Sequence, residues 1–213
     1  MTDGSPSGTA STSRPVAVNE FGRDGWVFSV DDRGRRSDEP YILLHGFPGS
    51  SETWQEVADG LAANRFRVLA PDQRGYADGA RPRQVDGYVL PELAADALAL
   101  ADAAGADRFH LSGHDWGGFV AWYLAAHHPD RLASVTVLST PHPRAIAEAM
   151  LVSLQPLRSS YVVAFQIPAL PEVALTMFDG RVLRAGLVAS GLPAQFAELY
   201  VRRMLQPGAL SGR

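Results

Sequence analysis

A doubly wound, mostly parallel α/β sheet is the fold class this sequence predicts, on three observations. Strand-like and helix-like segments alternate between residues 26 and 140. Two of the strand segments are apolar runs stopped by glycine, proline or aspartate, as expected of strands buried in a parallel sheet. A third, Phe109-His110-Leu111-Ser112, runs into the glycine-rich turn Gly113-His114-Asp115-Trp116-Gly117-Gly118, which opens a helix.

In chain order, Trp26-Val27-Phe28-Ser29-Val30 alternates as a half-buried strand, and Asp31-Asp32-Arg33-Gly34 is turn chemistry that ends it. Tyr41-Ile42-Leu43-Leu44 is a buried strand stopped by His45-Gly46-Phe47-Pro48-Gly49. Ser51 is placed to cap a helix whose apolar face carries Trp54, Val57 and Leu61. Phe66-Arg67-Val68-Leu69-Ala70 is the next strand, closed by Pro71-Asp72. Leu90, Leu93, Ala97, Leu100 and Ala104 mark one face of a helix terminated by Gly105. After the glycine-rich turn, residues 119–128 read as a helix and Val135-Thr136-Val137-Leu138 as a short strand. About five strands are expected.

From Pro143 onward the character changes to Ala-, Leu- and Val-rich helical segments broken by Pro156, Pro168, Pro171, Pro193 and Pro207. The expected organisation is a disordered Ser/Thr/Gly/Pro tail over residues 1–20, an α/β core over 21–142 and a helical segment over 143–213.

The 213 residues, 46% apolar, suffice for one domain with a real core. Net charge is −4 with the two signs interspersed, so neither nucleic acid nor a membrane surface is an expected partner. Cysteine is absent, which removes disulfides, thiolate nucleophiles and Cys-type zinc sites. All 19 basic residues are arginine, which excludes a phosphate-loop or Schiff-base lysine. No window has the apolar length of a membrane span, and the N-terminal stretch lacks the apolar core of a signal peptide. A soluble, cytoplasmic protein without cofactor is expected. The spacing of the six histidines gives no metal-site pattern.

The turn around Asp115 carries the chemistry. A strand that turns sharply into a helix forces its apex residue into strained backbone angles and needs small residues two before and two after it. Gly113 and Gly117 meet that need, with Gly118 beside them. The apex side chain is lifted to the C-terminal edge of the sheet, where open α/β folds bind ligands. The following amide, on Trp116, lies at a helix N-terminus and can stabilise an oxyanion. A plain strand-to-helix turn with an aspartate cap would look the same in isolation. The second element, His45-Gly46-Phe47-Pro48 after a buried strand, offers Phe47 N–H as another oxyanion donor and makes that plain reading much weaker.

Together, His45-Gly46-Phe47-Pro48-Gly49-Ser50, Pro71-Asp72-Gln73-Arg74-Gly75-Tyr76 and Gly113-His114-Asp115-Trp116-Gly117-Gly118 resemble the soluble epoxide hydrolase family of the α/β-hydrolase fold. The similarity runs from about Glu20 to the last residue. Ser160-Tyr161-Val162-Val163-Ala164-Phe165-Gln166-Ile167-Pro168 resembles that family's first cap tyrosine segment. The resemblance implies Asp115 as nucleophile, Tyr161 as acid over it, Phe47 and Trp116 as oxyanion donors, and a small apolar epoxide as substrate. A carboxylate is ionised at neutral pH without a base, so Asp115 can open a strained epoxide directly and form an ester.

Cleaving that ester takes a histidine base oriented by a carboxylate, which in this fold follow the nucleophile on the last strands. None of the six histidines stands at that position, and only His142, after the last strand, is a candidate to line the pocket. The resemblance therefore implies that the second tyrosine, the edge strands, the acid and the histidine are missing, as in a C-terminally truncated coding sequence. Two expectations follow: ester hydrolysis is impaired, and the strand at 135–138 is left as an exposed edge, favouring poor solubility or dimerisation through it. The alternatives are a dehalogenase of the same fold acting on a halide substrate, to which Trp116 is equally suited, and a non-catalytic remnant.

Overall fold

A computed structural model describes residues 17–152, 170–206 and 209. Its framework is a six-stranded sheet with the order β1-β2-β4-β3-β5-β6. The strands are β1 (Glu20–Arg23), β2 (Trp26–Arg33), β3 (Glu39–Leu44), β4 (Phe66–Pro71), β5 (Phe109–His114) and β6 (Leu132–Leu138). β3 pairs in parallel with β4 and β5, and β5 with β6, while β1–β2 and β2–β4 are antiparallel. The helices are α1 (Gln55–Ala63), α2 (Leu90–Ala103), α3 (Trp116–His127), α4 (Pro143–Val152), α5 (Leu170–Ala189) and α6 (Ala194–Met204). α5 is broken at Met177–Gly180, where the backbone leaves the helical region. None of the described helices is long and apolar enough to cross a membrane.

Alternation along the central strands distributes side chains to two cores. Ile42, Leu44, Leu69 and Leu111 join Leu100, Val120 and Leu124 of α2 and α3 on one side. Leu43, Val68 and Ala70 meet Trp54 and Ala58 on the other. Burial on both sides is why these strands read as continuous apolar runs.

Several expectations need correction. β1 is a strand beyond those expected: it begins at Glu20, and just before it Val18 is buried, its amide donating to Asp32 Oδ2 at 2.9 Å. β2 does not stop at Asp31. It runs through Asp31-Asp32-Arg33 because those charges are paired, Asp31 with Arg33 and Asp32 with buried Arg67 of β4, and the chain turns at Gly34 with φ +87°. Ser51 does not begin α1. A 3-10 turn over Ser51–Trp54 comes first, and the buried face is Trp54, Ala58 and Leu61, with Val57 turned outward. α3 starts at Trp116, directly on the turn, three residues earlier than expected.

β6 pairs only with β5 among the described residues, and Leu138 at its end is exposed. Arginine–carboxylate pairs knit the rest. Arg67 forks onto Asp32 at 3.1 and 2.8 Å, and Arg74 forks onto Asp96 of α2 at 2.7 Å for both bonds. Arg23 of β1 reaches the same Asp96 at 2.8 Å. Asp96 on the apolar face of α2 is tolerable because it is doubly paired.

Candidate active site at the β5–α3 turn

Asp115 joins β5 to α3 with φ 52° and ψ −118°, a conformation sparsely populated by residues other than glycine. The surroundings over-determine it. Its amide donates to Leu138 O at 3.3 Å, and its carbonyl accepts from Gly118 N–H at 2.9 Å and Thr140 Oγ1 at 2.8 Å. The neighbouring glycines are required by close backbone approach. A Cβ on Gly113 would sit 2.1 Å from Gly117 O, one on Gly117 2.3 Å from Leu44 O, and one on Gly118 2.4 Å from Thr140 Oγ1.

The loop after β3 meets this turn. Phe47 N–H donates to Asp115 Oδ1 at 2.9 Å, while Oδ2 takes no partner among the described residues. Gly46 lies directly against the same side chain: a Cβ there would fall 2.4 Å from Asp115 Cβ and 2.5 Å from Oδ1. Asp115 and Phe47, two of the residues singled out in the sequence, are thus in direct contact. The Trp116 amide opens α3 and has no protein partner among the described residues, and the Trp116 side chain is 53% exposed against Phe119. Tyr161 lies outside the described residues.

Behind the loop sits His45, fully buried. Gln73 N–H donates to His45 Nε2 at 3.1 Å, so the ring proton is on Nδ1, which donates to Gly46 O at 3.1 Å. Burial lowers its pKa to about 4, against the opposing pull of the Gly46 carbonyl and Asp72. The His45 carbonyl accepts from the Gln73 side-chain amide and from Gly117 N–H, the latter at 3.1 Å. Tyr76 packs edge-on to the His45 ring at 4.6 Å, and burial, with the nearby Asp115 charge, pushes its phenol pKa up.

Asp72 and Arg203 are contacts that sequence reading does not reveal. Asp72 Oδ1 accepts from Ser51 N–H at 2.8 Å, and Oδ2 accepts from Arg203 of α6 at 3.0 Å. Burial raises the Asp72 pKa, but the Ser51 amide and Arg203 outweigh it and hold the carboxyl below its ordinary value. Thr53 and Tyr200 share a hydroxyl hydrogen bond of 2.9 Å. Leu183, Val201 and Met204 of the C-terminal helices pack with Phe47 and Tyr76. A polar cavity of ≈ 330 Å³ beneath α6 is walled by Ser29, Asp72, Tyr76 and Arg203, among others, and does not include Asp115.

All six histidines are among the described residues, and none hydrogen-bonds to Asp115. His110 bonds Ser134 Oγ at 2.7 Å and His127 the Tyr123 carbonyl at 3.0 Å. His128 caps the end of α3. His142 stacks edge-on against Trp122 and accepts from Arg144 N–H at 3.2 Å. His114 shares no side-chain hydrogen bond with its neighbour in the chain.

Comparison with known proteins places this arrangement. The family described as the alpha/beta hydrolase fold matches residues 40–169. The chain is 35% identical over 193 residues to AB hydrolase superfamily protein YfhM of Bacillus subtilis, covering 88% of this chain and 68% of that protein. It is 35% identical over 205 residues to Epoxide hydrolase A of Mycobacterium tuberculosis, covering 93% of this chain and 61% of that protein. A solved structure titled as novel epoxide hydrolases from metagenomes of hot environments superposes with a TM-score of 0.77 at 28% identity, over 91% of this chain and 66% of its own.

Proposed function

The chain belongs to the α/β-hydrolase fold family, and on that premise we propose that its Asp115 opens small apolar epoxides by direct attack. The observation that carries this reading is the carboxylate at a strained turn with Oδ1 held at 2.9 Å by Phe47 N–H. Serine at that position would need a base for activation; an ionised carboxylate does not. Relatives named epoxide hydrolases, three of them 35% identical, support the substrate class.

Oδ1 is engaged, so Oδ2 is the attacking oxygen. It bonds to an epoxide carbon as that carbon's bond to the ring oxygen breaks, giving an ester of Asp115 and an alkoxide. The alkoxide takes a proton, for which Tyr161 is the donor in this reading. Oδ1 becomes the ester carbonyl oxygen, with Phe47 N–H still in place and Trp116 N–H as the second donor when water attacks.

That water needs a base. None of the six histidines hydrogen-bonds to Asp115, and four of them are bonded elsewhere, so we propose for this chain a first half-reaction and a stalled ester. The test is diol release from an aryl epoxide by the protein and by Asp115→Asn, with a haloalkane in parallel. Expected is less than one equivalent of diol per chain. Multiple turnovers abolished by Asp115→Asn would keep the nucleophile and overturn the stall. Halide release without epoxide consumption would favour the dehalogenase reading.

A further inference from the structure

We propose that His45 is a positioning residue: as the neutral Nδ1–H tautomer it holds the Phe47 amide on the Asp115 carboxylate. The residue bonds to three segments, two through its ring and the third through its carbonyl, beside the direct Phe47–Asp115 and Ser51–Asp72 bonds between them. Nδ1–H donates to Gly46 O at 3.1 Å, in the same peptide unit as the Phe47 N–H. Nε2 accepts Gln73 N–H at 3.1 Å from the loop after β4. The His45 carbonyl accepts Gly117 N–H at 3.1 Å from the first turn of α3, together with the Gln73 side-chain amide. The loop carrying the donor, the loop after β4 and the elbow are therefore tied through one residue.

Orientation of the Gly46 peptide is the point of leverage. The Gly46 carbonyl and the Phe47 N–H belong to one rigid planar unit, so holding the oxygen fixes where the N–H aims. Gly46 carries no side chain because Asp115 fills that space, and so has none of its own to hold the peptide. The Gly46 oxygen also accepts from Gly49 N–H at 2.8 Å within its own loop, and the imidazole adds the restraint that ties this peptide to the loop after β4.

The bond pattern also specifies the tautomer. An Nε2–H ring would set two donors face to face at Gln73 and two acceptors face to face at Gly46, and the imidazolium would keep the first conflict. Charged and titratable groups around the ring are Asp72 of the β4 loop, Arg203 of α6, His114 of β5 and Tyr76 at its edge. Asp72 favours the charged ring, whereas Arg203 and His114 oppose it, and full burial adds to the opposition.

The consequence for catalysis rests on the reading of Asp115 given above, but the hydrogen bond itself can be read without turnover. The full chain, labelled with ¹⁵N, is examined as wild type, His45→Gln, His45→Leu and Asp115→Asn. At pH 7 the His45 nitrogens are expected to show a protonated Nδ1 and an unprotonated Nε2; the reverse pattern, or two protonated nitrogens, overturns the proposal. The Phe47 amide is expected to be protected from exchange in wild type. In His45→Leu that protection falls at least tenfold while the Ile42 and Leu111 amides keep theirs. His45→Gln, whose amide oxygen can replace Nε2 as acceptor for Gln73, recovers part of it. Equal losses at all three amides, or an unchanged Phe47 amide, would assign His45 to general packing and overturn the proposal.

If His45→Leu does not fold, the Asp115→Asn chain decides. With an uncharged amide in place of the Asp115 carboxylate, the Phe47 amide must still shift as His45 protonates near pH 4, and a Phe47 amide blind to that event overturns the proposal. Failure of the epoxide assay with the tautomer and amide results intact would instead refute the functional reading alone.

Discussion

Gly46→Ala tests the close approach of the two loops at the site. The added methyl would lie 2.4 Å from Asp115 Cβ and 2.5 Å from Oδ1, whereas ordinary contact begins near 3.4 Å. The Asp115 side chain must therefore retreat by about 1 Å, since its own backbone is fixed by Leu138, Gly118 and Thr140. A retreat of that size breaks the 2.9 Å bond from Phe47 N–H. A misplacement of about 1 Å at reacting atoms costs on the order of 10²-fold in rate, or about 3 kcal/mol of barrier. Overpacking should cost stability about 1–3 kcal/mol as well, so the urea midpoint is measured beside the rate. The assay is the first-order growth of the covalent adduct at saturating epoxide, followed by intact mass. A variant that still folds and reacts within about threefold of wild type would refute the crowding argument and the role given to the Phe47 contact.

Other predictions concern stability and assembly. Removing one partner of the buried Arg67–Asp32 pair, as in Arg67→Met, should cost about 3–5 kcal/mol in urea unfolding, while Arg67→Met with Asp32→Leu should recover most of it. A double variant no better than the single would contradict the uncompensated-charge argument. Because the His45 pKa falls from 6.5 to about 4 on folding, the unfolded chain binds the extra proton between those values. Stability should then be complete above pH 6.5 and fall by about 3 kcal/mol on going down to pH 4, a slope absent from His45→Gln. Asp72, with its carboxyl held below the ordinary range, adds a further loss at still lower pH, and Asp72→Asn should flatten that part. Asp115→Gly should raise stability by about 1 kcal/mol by relieving the positive-φ strain, and an equal or lower urea midpoint would count against strain at the turn. The exposed β6 edge predicts self-association in light scattering, and a strictly monomeric chain that unfolds sharply would argue against it.

The parallel part of the sheet was legible because Ile42, Leu43, Val68, Leu69 and Leu111 are apolar on both faces and so mark buried strands. β1 was hidden: four residues with one buried apolar side chain, Phe21, carry too little pattern to register. Asp31-Asp32 read as a turn because the partner that makes Asp32 tolerable inside a strand, Arg67, lies 35 residues away. Val57 misled for a related reason: the face of α1 is set by Ala58 against Val68 and Ala70, and small alanines weigh little in periodicity.

At the site, Gly113, Gly117 and Gly118 signalled the turn because tight backbone approach leaves a composition trace. Phe47 was legible from the His-Gly-Phe-Pro run following a strand. The supports of that loop were not. Gln73 acts on His45 through its backbone amide as well as its side chain, and Asp72 acts by pairing with Arg203 from the far end of the chain. Neither leaves a local pattern, and only the folded arrangement brings them together.

The claim that Asp115 is the nucleophile is tested most directly by intact mass followed by peptide mapping after incubation with an aryl epoxide. The expected result is a single added epoxide mass, located on the peptide containing Asp115, labile to alkali as an ester and absent from Asp115→Asn. An adduct on any other residue, or one that persists in Asp115→Asn, would contradict it.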